Sequence, residues 1–201
     1  MENNLNEQKQ PYYVFMDIDG TLWDVPHAMA KHGPFLKVID FPTLKPSSVA
    51  AINLLLETLE ERFDTRLVIT SRHRENMVAC VHNLEFNGFK YNKPIYCTPY
   101  IPGPRGQKIV DFMTEQGEKP FTYPTLNNLF SRILYTKKDN NDFKNYVVID
   151  DKKSAIAKQI PPERRIITNL KKESLTHDQV INYLLQNKIP VHIQGEHLQY
   201  I

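Results

Sequence analysis

The sequence predicts an α/β fold: a Rossmann-like, mainly parallel sheet of about five strands with helices on both faces and no large cap domain. Two observations carry this expectation. Short aliphatic runs alternate with segments of helical periodicity, the pattern of βαβ units. Three of those runs, Val14-Phe15-Met16, Arg66-Leu67-Val68-Ile69 and Tyr146-Val147-Val148-Ile149, switch abruptly to acid or hydroxyl side chains at their C-terminal ends. That is where an open α/β sheet keeps its ligand crevice. A chain of 201 residues suits one domain with a full core. Within it, residues 1–11 read as flexible, 117–145 as an extra helical insertion and 190–201 as a short C-terminal tail.

The first strand is expected near Tyr12 to Met16, followed by an irregular stretch, Trp23 to Lys45, marked by Pro26, Gly33, Pro34 and Pro42. A helix follows Pro46, with Ser47 or Ser48 as cap and Val49, Ile52, Leu55, Leu56 and Leu59 on one face. The second strand is Arg66 to Ile69, and a helix from about Glu75 to Asn87 stops at Gly88. Pro94 to Cys97 forms a third strand, and Lys108 opens the helix after the Pro- and Gly-rich loop 99–106. Leu126, Leu129, Phe130, Ile133 and Leu134 recur at helical spacing and mark the insertion. The fourth strand is Tyr146 to Ile149 and the fifth Arg165 to Thr168. A last helix begins at Thr176, where Gln179 completes a capping box. Val191-His192-Ile193 alternates like a short edge strand.

The richest segment is Val14-Phe15-Met16-Asp17-Ile18-Asp19-Gly20-Thr21. In extended backbone, residues i and i+2 share a face, so Asp17 and Asp19 converge. Two acids held together repel and need a shared cation or proton. Gly20 permits a sharp turn with exposed amides, and Thr21 sets a hydroxyl beside them. These are the parts of a site for a divalent metal and a phosphate, although Asp and Gly also make ordinary turns. Asp150-Asp151 ends the fourth strand with a second carboxylate pair, and Thr70-Ser71 ends the second with hydroxyls.

The ordered set, Asp-x-Asp-Gly-Thr, then Thr-Ser, then a lysine opening a later helix, then Asp-Asp, resembles the haloacid dehalogenase superfamily over roughly residues 12 to 168. The resemblance implies a magnesium-dependent phosphatase. Asp17 would attack phosphorus and form an aspartyl-phosphate. Asp19 would protonate the leaving oxygen and later deprotonate water, its backbone carbonyl also ligating the metal. Mg²⁺ would be held by Asp17, Asp19 and Asp150, with Asp151 orienting a water on the ion. Thr70, or Ser71 after a one-residue shift, would bind a phosphoryl oxygen, and Lys108 would neutralise its charge. Lys119, Lys137 and Lys138 rival Lys108. Asp19 favours phosphatase over dehalogenase, which lacks that second acid. A binding module that keeps the fold without catalysis would have lost an essential carboxylate, and none is lost; phosphotransfer to an acceptor other than water stays open.

Arg72, His73 and Arg105 lie on expected loops at the ligand end and could touch substrate, though solvation is the ordinary fate of such side chains. Trp23 could either contact substrate or pack. Neither interval between motifs holds a large cap, so the phosphorylated substrate could be a small molecule, a protein or a nucleic-acid end. The net charge of +2 is too small to indicate a nucleic-acid protein, but residues 131–172 carry eleven Lys and Arg against five Asp and Glu, a face that could attract a polyanion. Cys80 and Cys97 sit in apolar stretches and read as buried thiols rather than a disulfide framework. Met1 to Gln10 contains no apolar leader, and no run approaches eighteen apolar residues, which suits a cytoplasmic protein without a membrane span.

Overall fold

A computed structural model gives the structure of the chain and describes residues 9–23, 44–99, 102–116, 145–169, 174–193 and 196–197. Five strands form one parallel sheet: β1 (Pro11–Met16), β2 (Asp64–Ile69), β3 (Tyr96–Cys97), β4 (Tyr146–Asp150) and β5 (Arg165–Ile167), in the order β3-β2-β1-β4-β5. The order reverses at β1, so the crevice at this switch point opens over the ends of β1 and β4. Strand residues alternate between two cores. Val14, Met16, Leu67, Ile69, Val147 and Ile149 pack on one face beneath α1 (Pro46–Glu60), α2 (Met77–Phe86) and α5 (His177–Gln186). Phe15, Val68 and Val148 pack on the other beneath α3 (Arg105–Gln116) and the short α4 (Lys153–Ile156). A sheet covered on both sides accounts for the nearly continuous aliphatic runs, each buried Leu or Ile contributing about 1.5–3 kcal/mol.

Several local expectations shift. The N-cap position of α1 is Lys45, without a side-chain cap, rather than Ser47 or Ser48, because Pro46 already occupies the first helical turn. Ser48 is buried inside the helix and its hydroxyl donates to the Leu175 carbonyl at 2.7 Å. The helix expected from Glu75 is a 3₁₀ turn, Arg72–Asn76, followed by α2, whose cap is Asn76. Helix α3 opens at Arg105, one turn before Lys108. The capping box of Thr176 and Gln179 forms as expected. The tail does not join the main sheet: β6 (His192–Ile193) pairs antiparallel with β7 (Glu196–His197). Residues 117–144 of the expected insertion 117–145, the stretch 24–43, residues 1–8, Lys119, Lys137 and Lys138 lie outside the described residues.

No described helix is long and apolar enough to cross a membrane. Cys80 and Cys97 are free and buried, and burial pushes the Cys80 thiol up to about 12.

Candidate active site

Parallel register assembles the site. Met16 of β1 faces Ile69 of β2 and Ile149 of β4. One residue on, the Asp17 N–H donates to the Ile149 carbonyl and the Thr70 N–H to the Met16 carbonyl, each at 2.9 Å. Asp17 therefore leaves the sheet between Thr70 and Asp150. Gly20 adopts φ 73°, in the left-handed region that suits glycine, and the N–H groups of Thr21, Leu22 and Trp23 turn back onto the Ile18 carbonyl at 3.2, 2.9 and 3.3 Å. The Thr21 hydroxyl is buried 3.5 Å from Thr168 Oγ1, which itself donates to the Gly20 carbonyl at 2.9 Å. Trp23 packs, partly buried, against the larger core.

Asp17, Asp150 and Asp151 each bring a carboxylate oxygen to within 4.8 Å of the others. Asp17 and Asp150 are buried. Arg105 faces them: its Nη1 donates to Asp17 Oδ2 and to Asp150 Oδ2, both at 2.6 Å. Gly106 lets α3 pack close to α4, because a Cβ there would lie 2.6 Å from Gln159 Oε1 and 3.2 Å from the Ile156 Cα at the end of α4. Burial, reinforced by Asp150 and Asp19 and only partly offset by Arg105, pushes Asp17 up to about 6. Burial also raises Asp150 against the pull of Arg105, and raises Asp151 beside Asp17. Asp17 Oδ1 and Asp151 Oδ1 are buried without a hydrogen-bond partner among the described residues. Desolvated carboxylate oxygens with excess negative charge fit a hard divalent cation, whose preferred ligands are oxygens.

Asp19 stands apart from this cluster. Its Oδ1 lies 3.0 Å from His73 Nε2. Burial alone would raise the Asp19 carboxyl, but the hydrogen bond and charge of His73, with Arg72 and Arg105, hold it below the usual carboxylate range.

The two hydroxyls at the end of β2 divide. Thr70 Oγ1 is buried and has no partner among the described residues. Ser71 instead caps the 3₁₀ turn, accepting from the His73 N–H at 3.4 Å. Thr70 is thus the hydroxyl open to a ligand. Buried Arg74 braces the segment by donating through Nη1 to the carbonyls of Thr70 and Ser71 at 2.6 and 2.5 Å. Lys108 forms no ion pair with the acids among the described residues. Burial first, then the charges of Arg74 and Arg105, lower its pKa. The direct partner of Asp17 is Arg105, which sequence reasoning named only as a loop residue. Pro104 was the available signal, since proline favours the start of a helix and would have set Arg105 in the first turn. No family model, curated protein or solved structure matches the chain.

Proposed function

We propose that the protein is a Mg²⁺-dependent phosphatase that hydrolyses a phosphomonoester through a phosphoaspartate on Asp17. One observation carries the reading: Asp17 has one oxygen held by Arg105 and the other buried, unpartnered and beside two further acids. A desolvated carboxylate oxygen is costly in a purely structural role and well suited to attack. The order of motifs that resembles the haloacid dehalogenase superfamily supports the same assignment.

Asp17 and Asp150 would hold the ion by their side chains, the Asp19 carbonyl would join them as the resemblance implies, and Asp151 stands beside them. When bound, Mg²⁺ supplies positive charge that allows a carboxylate to approach a phosphate dianion. Asp17 attacks phosphorus with the carboxylate oxygen that the ion does not hold, the bond from phosphorus to the ester oxygen breaks, and the ester oxygen takes the proton of the Asp19 carboxyl group. Water then attacks the phosphoaspartate and gives a proton to Asp19, releasing phosphate and restoring the Asp17 carboxylate. Thr70 and Arg105 would bind phosphoryl oxygens, Arg105 with the guanidinium N–H groups that do not hold the acids. Exposed Arg72, Lys152 and Lys153 rim the same end of the sheet, which favours a phosphate carried on a larger anionic molecule. Arg164 and Arg165, in contrast, lie at the opposite end, where β5 begins.

The test is turnover of phosphomonoesters, from sugar phosphates to phosphopeptides and phosphate-ended oligonucleotides, after exhaustive chelation and again with Mg²⁺ restored. Activity that vanishes and returns supports the proposal. Full activity in verified metal-free protein, or none with any ester, contradicts it.

A further inference from the structure

Asp19 has to present one oxygen to two different partners, a leaving group and a water, yet its carboxylate is only half-buried and sits on a tight turn. His73 Nε2 lies 3.0 Å from Asp19 Oδ1, within hydrogen-bond distance. A carboxylate oxygen only accepts, so the imidazole nitrogen donates. The imidazole is itself fixed: its side chain is 10% exposed, its backbone N–H is held by the Ser71 hydroxyl, and Arg74 ties down the carbonyls of Thr70 and Ser71 just before it. The three acids that gather within 4.8 Å exclude Asp19, whose carboxylate is turned to His73 instead.

We infer that His73 is a positioning residue: by holding Asp19 Oδ1 it keeps that carboxylate out of the acid cluster and leaves Oδ2 for the reacting oxygen. The inference rests on the phosphatase reading. Phosphoryl transfer gains from acid help chiefly when the leaving oxygen is a poor one, so a misaligned Asp19 harms an alkyl phosphate far more than 4-nitrophenyl phosphate.

The experiment compares His73→Phe, which keeps the ring volume and removes the donor, with His73→Gln, whose amide restores a donor at similar reach. Steady-state kinetics on both esters are read with Mg²⁺ present, and the thermal transition confirms folding. His73→Phe is expected to lower kcat for the alkyl ester by about 10²-fold with KM nearly unchanged, to cost several times less on 4-nitrophenyl phosphate, and to be largely rescued in His73→Gln. Equal losses on both esters, a loss confined to KM, or no rescue by glutamine would overturn the inference while leaving the phosphatase reading intact. If wild-type protein hydrolyses neither ester, the phosphatase reading itself fails, and the role of His73 with it. Should His73→Phe fail to fold, His73→Gln still decides the matter, since alkyl-ester turnover far below wild type in folded protein contradicts a role met by any aligned donor.

Discussion

At the N-terminal end of β1 and β2, Asp64 accepts from Arg66 Nε and Nη2 at 3.0 and 2.9 Å and lies 3.4 Å from Lys93, which also pairs with Glu60 at 3.2 Å. At the C-terminal end of the same sheet, Asp17 and Asp150 share one guanidinium nitrogen, with Asp151 close by. The first end forms a cleft lined by Lys9, Glu60, Phe63, Asp64, Arg66 and Lys93, yet its charges are matched. Asp64 is held below the usual range by Arg66 and Lys93 despite slight burial. The second end leaves charge unmatched, and burial pushes Asp17 the other way, up to about 6. Concavity alone does not mark a functional site; buried charge without enough counter-charge does, because only a ligand or a proton can balance it.

Removing the unmatched charge should have the largest effect. In Asp17→Asn, turnover is expected to fall on the order of 10⁴-fold or more, the scale on which losing a nucleophile is felt. The thermal transition of the metal-free variant should rise, since one of the crowded acids is gone. A fall in stability with activity kept would break the comparison. Asp19→Asn should cost about 10² to 10⁴ in kcat, the usual worth of acid–base help, and rapid-quench kinetics should show phosphoenzyme accumulating because water loses its base.

Protons and cation compete for the same oxygens. Asp17 binds a proton more tightly folded than unfolded, so this group makes the metal-free protein less stable as pH rises from 3.8 to about 6, with no further change above. Mg²⁺ should relieve that cost only where the proton has left. Differential scanning fluorimetry should accordingly show a larger stabilisation by saturating Mg²⁺ above pH 7 than below pH 5. An equal shift at both would place the cation elsewhere.

The matched end should respond least. Asp64→Asn removes one partner of a half-exposed ion pair, so chemical denaturation should register a loss within about 1 kcal/mol and kcat should not move. A large catalytic effect there would mean that the two ends are coupled.

Much of this contrast was legible in the chain. Asp17, Thr70 and Asp150 each end an apolar run, and parallel register then sets them side by side. Other features depend on contacts that no local pattern records. Ser48 looked like a helix cap, but it is drawn inward by the carbonyl of Leu175, 127 residues away. The sequence pattern starts α3 at Lys108; the helix begins one turn earlier, and Arg105 at its head reaches two acids on different strands. Asp19 was expected beside Asp17 from strand spacing. The backbone turns at Gly20 and Asp19 Oδ1 meets His73, so Asp19 falls outside the cluster of three acids, since the period of two applies only while the backbone stays extended.

The central claim is that Asp17 carries the phosphoryl group. Asp19→Asn protein, incubated with Mg²⁺ and 4-nitrophenyl phosphate, quenched in acid and digested, should yield one phosphorylated peptide, with the group on Asp17. Phosphate on another residue, or none while wild-type protein turns the ester over, would contradict it.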